Sequence, residues 1–258
     1  MLGLKWSAIV ALSAVVTLGA CEQIKDANRA GLQRDREIVR ERQRISREID
    51  ALARGKATLA ACIEARCREL NLDGMRLDDF SVINGLTHVT TLMMSRTNFD
   101  DLSDIKDLGH LKELHITSTD ITDLEGLVYF PQLDVLHVEG TSPAVDKSPI
   151  AQLAGLSDLA MGNVGKGFDA SFIQDMLLLE DLSISWHGSE ADISVLRGHP
   201  TLKNVDIGGE LPDDQSVLLT MPKLEAIMFY RADMLNDNVR DALNARGLLQ
   251  LLPAVIVC

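Results

Sequence analysis

Aromatic residues make up only 4% of this 258-residue chain. Its core must therefore be aliphatic, and at 46% hydrophobic residues there is enough apolar surface to bury one continuously. Basic residues are also scarce. The 25 Lys and Arg against 38 Asp and Glu leave a formal charge of −13, which argues against a phosphate backbone as main partner: no nucleic acid is expected. The N-terminal apolar run, Ser7 to Leu18, is about 12 residues long, too short to span a bilayer. The signatures GxSxG, HExxH, P-loop and GxGxxG are missing, and no CxxC pair offers zinc ligands. Gly162-x-x-Gly165-x-Gly167 reads as a loop insertion, not a phosphate cradle. With no catalytic set and no cofactor motif, the chain reads as a non-enzyme, and a hidden enzyme ranks last among its functions.

What the sequence does have is a period. Leu108-x-x-Leu111-x-x-Leu114-x-Ile116 recurs as Phe130-x-x-Leu133-x-x-Leu136-x-Val138, 22 residues on. Aligning on the middle leucine gives Leu70, Leu92, Leu114, Leu136, Leu159, Leu182, Val205 and Ile227, at steps of 22 or 23. Two residues further stand Leu72, Met94, Ile116, Val138, Met161, Ile184, Ile207 and Phe229, all apolar. From about Cys67 to Tyr230 the chain resembles the leucine-rich repeat family, nearest to the 22-residue internalin-like type. The resemblance implies an α/β solenoid, a horseshoe of short parallel strands whose concave face binds. The physics agrees without the name. One repeat cannot bury its own apolar face, so stacking must supply the core.

The family's usual Asn, five residues past the middle leucine, is replaced here by Met75, Thr97, Thr119, Thr141, Val164, His187, Glu210 and Ala232. The three threonines suggest a hydroxyl ladder, and the regularity of the superhelix is in question beyond Val164. Asp79-Phe80, Asp101-Leu102, Asp123-Leu124 and Asp192-Ile193 recur where Asp would cap a one-turn helix on the convex side. Pro143, Pro149, Gly162, Gly165 and Gly167 predict irregular fourth and fifth loops. The repeat domain is expected over 61–258. Its N-terminal cap falls at 61–69, on a short helix at 58–68, and its C-terminal cap at 233–258. There a helix starts at Asn236 or Asp237 and stops near Arg246-Gly247. The apolar run to Cys258 then lies over the last repeat or serves as a sticky tail.

Ahead of this body, 1–20 reads as a signal peptide, with Lys5 before the apolar run. It ends Leu18-Gly19-Ala20-Cys21, which resembles the bacterial lipobox. The resemblance implies lipidation of Cys21 and a membrane partner reached through a palmitate-bearing anchor. Glu22, where Asp favours inner-membrane retention, leans the address toward the outer membrane, on its periplasmic side or at the cell surface. Residues 21–60 are a proline-free, basic-leaning helical stalk. Residues 22–60 carry 10 basic and 7 acidic groups, against 14 and 31 in residues 61–258. Ile38, Ile45, Leu52 and Leu59 fall seven apart, but Arg42 and Lys56 break the second seam. The stalk is thus either a solvated tether or an oligomerising helix. Cys62 and Cys67 either close a small disulfide loop or are buried small apolar residues, and Cys258 is left odd.

The outward strand positions form three rows. His115 and His137 hold the same place in adjacent repeats, with Glu113 and Glu139 near. A zinc site of His115, His137 and Glu139, a pH switch, or a merely solvated polar face all fit. Glu113, Asp158, Asp181 and Asp206 make the face acidic, which fits a protein partner with a basic surface or serves solubility alone. Met93 joins these outward residues. Trp186 at the rim and Tyr230 are contact anchors or local packing. The expected function is that of an anchored protein binder, its ligand outside the cell or in the periplasm, where the chain would be an envelope scaffold or assembly factor. A metal- or pH-gated binder is the third reading.

Overall fold

Helix formers without a proline run from Trp6 to Ala65, and they fold as one α-helix, α1. The computed structural model describes residues 6–229 and 234–251, with side chains for Arg29 and, within those ranges, from Leu32 onward except Ser189 and Leu251. The sequence expectations for residues 1–20, Cys21, Tyr230 and Cys258 lie outside the described side chains. The chain divides into two compact units between Asp50 and Ala51.

In the first unit α1 is solvated. Leu32, Ile38, Val39, Ile45 and Ile49 are all at least 45% exposed, so the unit buries little apolar surface of its own. Arg44 pairs with Glu41 at 2.7 Å and with Glu48 at 3.5 Å. Such exposed i,i+3 and i,i+4 pairs support the helix only slightly.

The second unit begins with the last turns of α1. Ala51, Gly55, Leu59 and Cys62 are buried along one helical face, and the Ala51 carbonyl accepts from the Arg76 N–H at 3.2 Å. Gly55 lies so close to the first repeat that a Cβ there would overlap the Arg76 carbonyl oxygen. The N-terminal cap is therefore the end of α1 itself, and no separate short helix precedes the repeats. α1 stops at a left-handed residue, Arg66, with φ +49°. Cys62 and Cys67 form a disulfide across that turn, with Cα atoms 4.9 Å apart.

Eight strands follow: β1 (Glu69–Asn71), β2 (Thr91–Met93), β3 (Glu113–His115), β4 (Val135–His137), β5 (Asp158–Val164), β6 (Asp181–Glu190), β7 (Asn204–Glu210) and β8 (Ala226–Phe229). All pair parallel with their sequence neighbours. The register pairs Leu70 with Leu92, and onward through Leu114, Leu136, Leu159, Leu182, Val205 and Ile227. These inward residues are essentially inaccessible to water. After α2 (Asp237–Ala245) a ninth strand, β9 (Leu249–Leu251), continues the sheet, Ile227 pairing with Leu249. The start of the C-terminal apolar run is thus one more repeat strand and not a cover laid over the last one.

Between strands the chain turns through short 3-10 helices on the convex side. The side chains of Asp79, Asp101, Asp123 and Asp192 each accept from the backbone N–H two residues on, at 2.6 to 3.1 Å. Asp146, Asp169 and Asp214 do the same at 2.8 to 3.0 Å. The threonines do not form a ladder. Thr97 and Thr119 donate back to the carbonyls of Met94 and Ile116 in their own repeats, and Thr141 Oγ1 has no partner. Asn98 supplies the bridge between repeats, donating to the Leu77 carbonyl at 2.9 Å and accepting from its N–H at 3.3 Å.

The fourth residue past each inward leucine makes the corner that leaves the concave face. It is left-handed in five successive repeats: Gly74, Arg96, Ser118, Gly140 and Asn163. In the sixth repeat Trp186 stands there, a bulky residue for which that region is costly. The left-handed residue comes two positions later, at Gly188, and β6 runs on through Glu190, paired with β7 in a shifted register. The irregularity begins one repeat earlier: β5 runs to Val164 and its register with β6 shifts past Met161, although its corner residue Asn163 is left-handed.

Candidate functional site

The concave face is set by alternation. Residues flanking the inward leucines point outward, and the parallel register lines them up into rows. His115 of β3 therefore sits directly beside His137 of β4. Their ring centroids are 4.4 Å apart at an interplanar angle of 71°, an edge-to-face contact. On the next strand Asp158 lies diagonally behind, its Oδ1 3.3 Å from His137 Nε2. Asp158 raises the pKa of His137 by accepting that hydrogen bond, against the opposing effect of burial; Asp158, Glu139 and Glu113 add attraction for the charged form. His115 is shifted the other way. Burial and then the neighbouring His137 lower its pKa, only partly offset by Glu113, Asp73 and Asp158. Two chemically identical side chains are so pushed apart in proton affinity by their surroundings.

A second polar group lies further along. Ser183 Oγ donates to Glu139 Oε1 at 3.1 Å, two strands away. Between them β5 presents Ala160 and Gly162. A Cβ on Gly162 would stand 3.4 Å from Glu139 Cβ and 3.2 Å from Ser185 Oγ, so the glycine leaves room for the Glu139 stem. Asp206 is half-buried on β7, and its Oδ1 has no hydrogen-bond partner. Burial first, then the nearby Glu139 charge, raise its pKa.

Of the other expected residues, Glu113 and Met93 are partly exposed on the face, and Asp181 accepts from Asn204 Nδ2 at 2.5 Å. Trp186 is not at the rim. It is 8% exposed within the apolar core, and a Cβ on Gly209 would stand 3.3 Å from its own Cβ. His115, His137 and Glu139 do not converge on a metal. Among the described residues no group of three or more His, Cys, Asp or Glu is arranged to hold an ion.

Some polar residues escaped the sequence reading. Lys147 is 1% exposed, its Nζ directed at the carbonyls of Val145 at 3.2 Å and of Ser142 and Asn163 at 3.5 Å. Burial lowers its pKa. It stands just after a capping Asp, where other repeats carry Phe80, Leu102, Leu124 or Ile193, and that alignment was the available signal. His88 and His110, 22 residues apart, likewise hold equivalent places, each with a buried Nε2 lacking a partner.

A sheet of stacked parallel strands, one per 22 or 23 residues and backed by one-turn helices, is a leucine-rich repeat solenoid. Its fold is similar to that of an internalin (InlF) from Listeria monocytogenes, with a TM-score of 0.56 at 21% sequence identity, over 71% of this chain and 54% of that one. The chain thus spans about half the length of that internalin. Internalin C2 (InlC2) of the same species matches with a TM-score of 0.45 and 25% identity, over 60% of this chain and 67% of that one. The leucine-rich repeat domain of APL1B matches with a TM-score of 0.33 and 15% identity, over 59% and 39%. No protein-family model and no curated protein matches the chain.

Proposed function

We propose that this protein is an exported, lipid-anchored binder whose acidic concave face takes a protein partner with a basic surface. One observation carries the reading. The three outward rows hold Glu69, Asp73, Glu113, Glu139, Asp158, Asp181 and Asp206, and not one lysine or arginine. A surface of one sign steers a partner of the other and rejects its own kind. Binding is by shape and charge, without turnover. Anchoring rests on the Leu18-Gly19-Ala20-Cys21 sequence; among the described residues no helix is long and apolar enough to cross a membrane.

The test is a photo-crosslinker at position 137 in living cells, read by mass spectrometry. One dominant captured protein, lost when Asp158 and Asp181 are both changed to Lys, supports the reading. Equal capture by that variant would sink it. Labelling with palmitate that disappears in Cys21→Ala tests the anchor. Protease shaving of intact cells separates a surface ligand from a periplasmic scaffold role.

The exposed Ile38, Ile45 and Ile49, with Leu32 and Val39, support a second role, oligomerisation through the stalk. The chain should then sediment above monomer mass, and Ile38→Lys with Ile45→Lys should return it to monomer.

A further inference from the structure

We propose that His115, His137 and Asp158 form a cation subsite which protonated His137 fills from within, so that a partner's Lys or Arg side chain enters as the proton leaves. This rests on the acidic concave face being the binding face.

The geometry carries the argument. Asp158 is the carboxylate nearest the imidazole pair, and in the resting structure its Oδ1 faces His137 Nε2 at 3.3 Å. An imidazolium there is an ion-pair partner already in place. Neither partner of this contact is withdrawn from the face: the His137 and Asp158 side chains keep 29% and 35% of their surface exposed, so an incoming cation can reach the same oxygen. All the charges acting on the pair have one sign. They are Glu113 on β3, Glu139 beyond β4, Asp158 on β5 and Asp73 beyond β1, while β2 contributes uncharged Thr91 and Met93. With no lysine or arginine among them, the two imidazoles are the groups of this cluster that can supply a positive charge, and His137 takes it more readily than His115. His137 and a partner cation therefore compete for one carboxylate.

His115 sharpens the competition. Its ring meets His137 edge to face at 4.4 Å, so a charge on one ring opposes a charge on the other. The pair takes its first proton on His137, and the second only at lower pH. Between the two transitions the subsite holds a single proton. Binding of a guanidinium or ammonium group is linked to release of that proton, which makes affinity rise with pH on the acid side of the His137 transition, by at most about tenfold per unit, and level off above it.

Octa-arginine serves as the cationic probe, bound to the full chain at constant ionic strength between about pH 5 and pH 8, where histidine titrates. The expected result is affinity that rises with pH by up to about tenfold per unit at the acid end of this range and levels off once His137 has lost its proton, a rise that His137→Asn flattens. Histidine Cε1–H resonances of the unsubstituted chain give an independent readout. His137 should titrate at higher pH than His115, and in Asp158→Asn it should fall toward its neighbour. Octa-arginine that binds equally at all these pH values, or a slope that survives His137→Asn, overturns the subsite while leaving the acidic face intact. No binding at any pH overturns both. Resonances titrating together, or His137 unmoved by Asp158→Asn, overturn the subsite alone.

Discussion

Ser183 and Glu139 are 44 residues apart in sequence, yet the Ser183 hydroxyl donates to the Glu139 carboxylate at 3.1 Å across the concave face. The contact spans two strands because the strand between them offers only Ala160 and Gly162 as a floor. It holds the Glu139 charge near Asp206, whose pKa burial has already raised.

Asp206 should therefore weaken the fold at neutral pH. A raised folded value means that the folded chain keeps a proton the unfolded chain has lost. Stability then falls as pH rises from the ordinary value of 3.8 through the folded one. Asp206→Asn is expected to be more stable than the parent at neutral pH, with no gain below 3.8. Urea melts at both conditions check this. Glu139→Gln removes one of the two causes and should lower the Asp206 titration point, read by carboxyl NMR.

Lys147 predicts a slope at the other end of the scale. Its folded pKa lies below the ordinary 10.5 because the ammonium is buried among carbonyls. The unfolded chain binds that proton more tightly, so stability should rise with pH up to about 10.5. Lys147→Met keeps the stem and should abolish the slope. Lys147→Ala also loses packing and donors and should cost about 2 kcal/mol at neutral pH, measured by denaturant unfolding.

Gly55 inverts the usual helix rule. Gly→Ala inside a helix ordinarily gains up to about 1 kcal/mol. Here the added Cβ would overlap the Arg76 carbonyl oxygen, and a backbone atom cannot step aside cheaply. Overpacking of about 1–3 kcal/mol outweighs the propensity gain. Gly55→Ala should lower stability and expose the β1 amides to faster hydrogen exchange. An unchanged exchange pattern would show that α1 does not cap the first repeat.

The Cys62–Cys67 disulfide closes a loop over a sequence separation of five. For so short a loop the chain-entropy contribution is about 2 kcal/mol. In a solenoid that loss is felt mainly by the nearest repeats. Paired Cys62→Ser and Cys67→Ser substitutions should reduce hydrogen-exchange protection at β1 and β2 and leave β6 and β7 as they were.

The inward leucines were legible because stacking demands an apolar residue at every turn, and the 22-residue step locates it. The same step carries Ile227 to Leu249, but α2 intervenes, and an apolar tail reads equally well as a lid. The capping aspartates were legible where an apolar residue followed. They were hidden at Asp146, Asp169 and Asp214, where Lys147, Ala170 and Gln215 follow instead. The adjacency of His115 and His137 followed from register alone. Their opposite proton affinities did not, since those depend on Asp158 lying diagonally across one strand. Trp186 reads as a rim residue because it follows a strand; β6 instead runs on through Glu190, and that position is buried in the core.

Because each strand bonds only to its sequence neighbours, the solenoid has a mechanical character. Tension applied at the N-terminus enters the repeats at the first of them, through the contacts of the end of α1 with Arg76 and through the turn between α1 and β1. The disulfide there carries the load across the turn in place of the residues it bridges. Past that point the backbone of each repeat is bonded to its neighbours, and among the described residues the Ser183–Glu139 contact is a tie that skips a strand, so yielding is expected to proceed largely one unit at a time from β1. Each unit released lengthens the chain by its 22 or so residues, on the order of 70 Å when extended. A body hung from a tether in this way would give in steps under a pull, and its far repeats would keep their shape while the near ones let go.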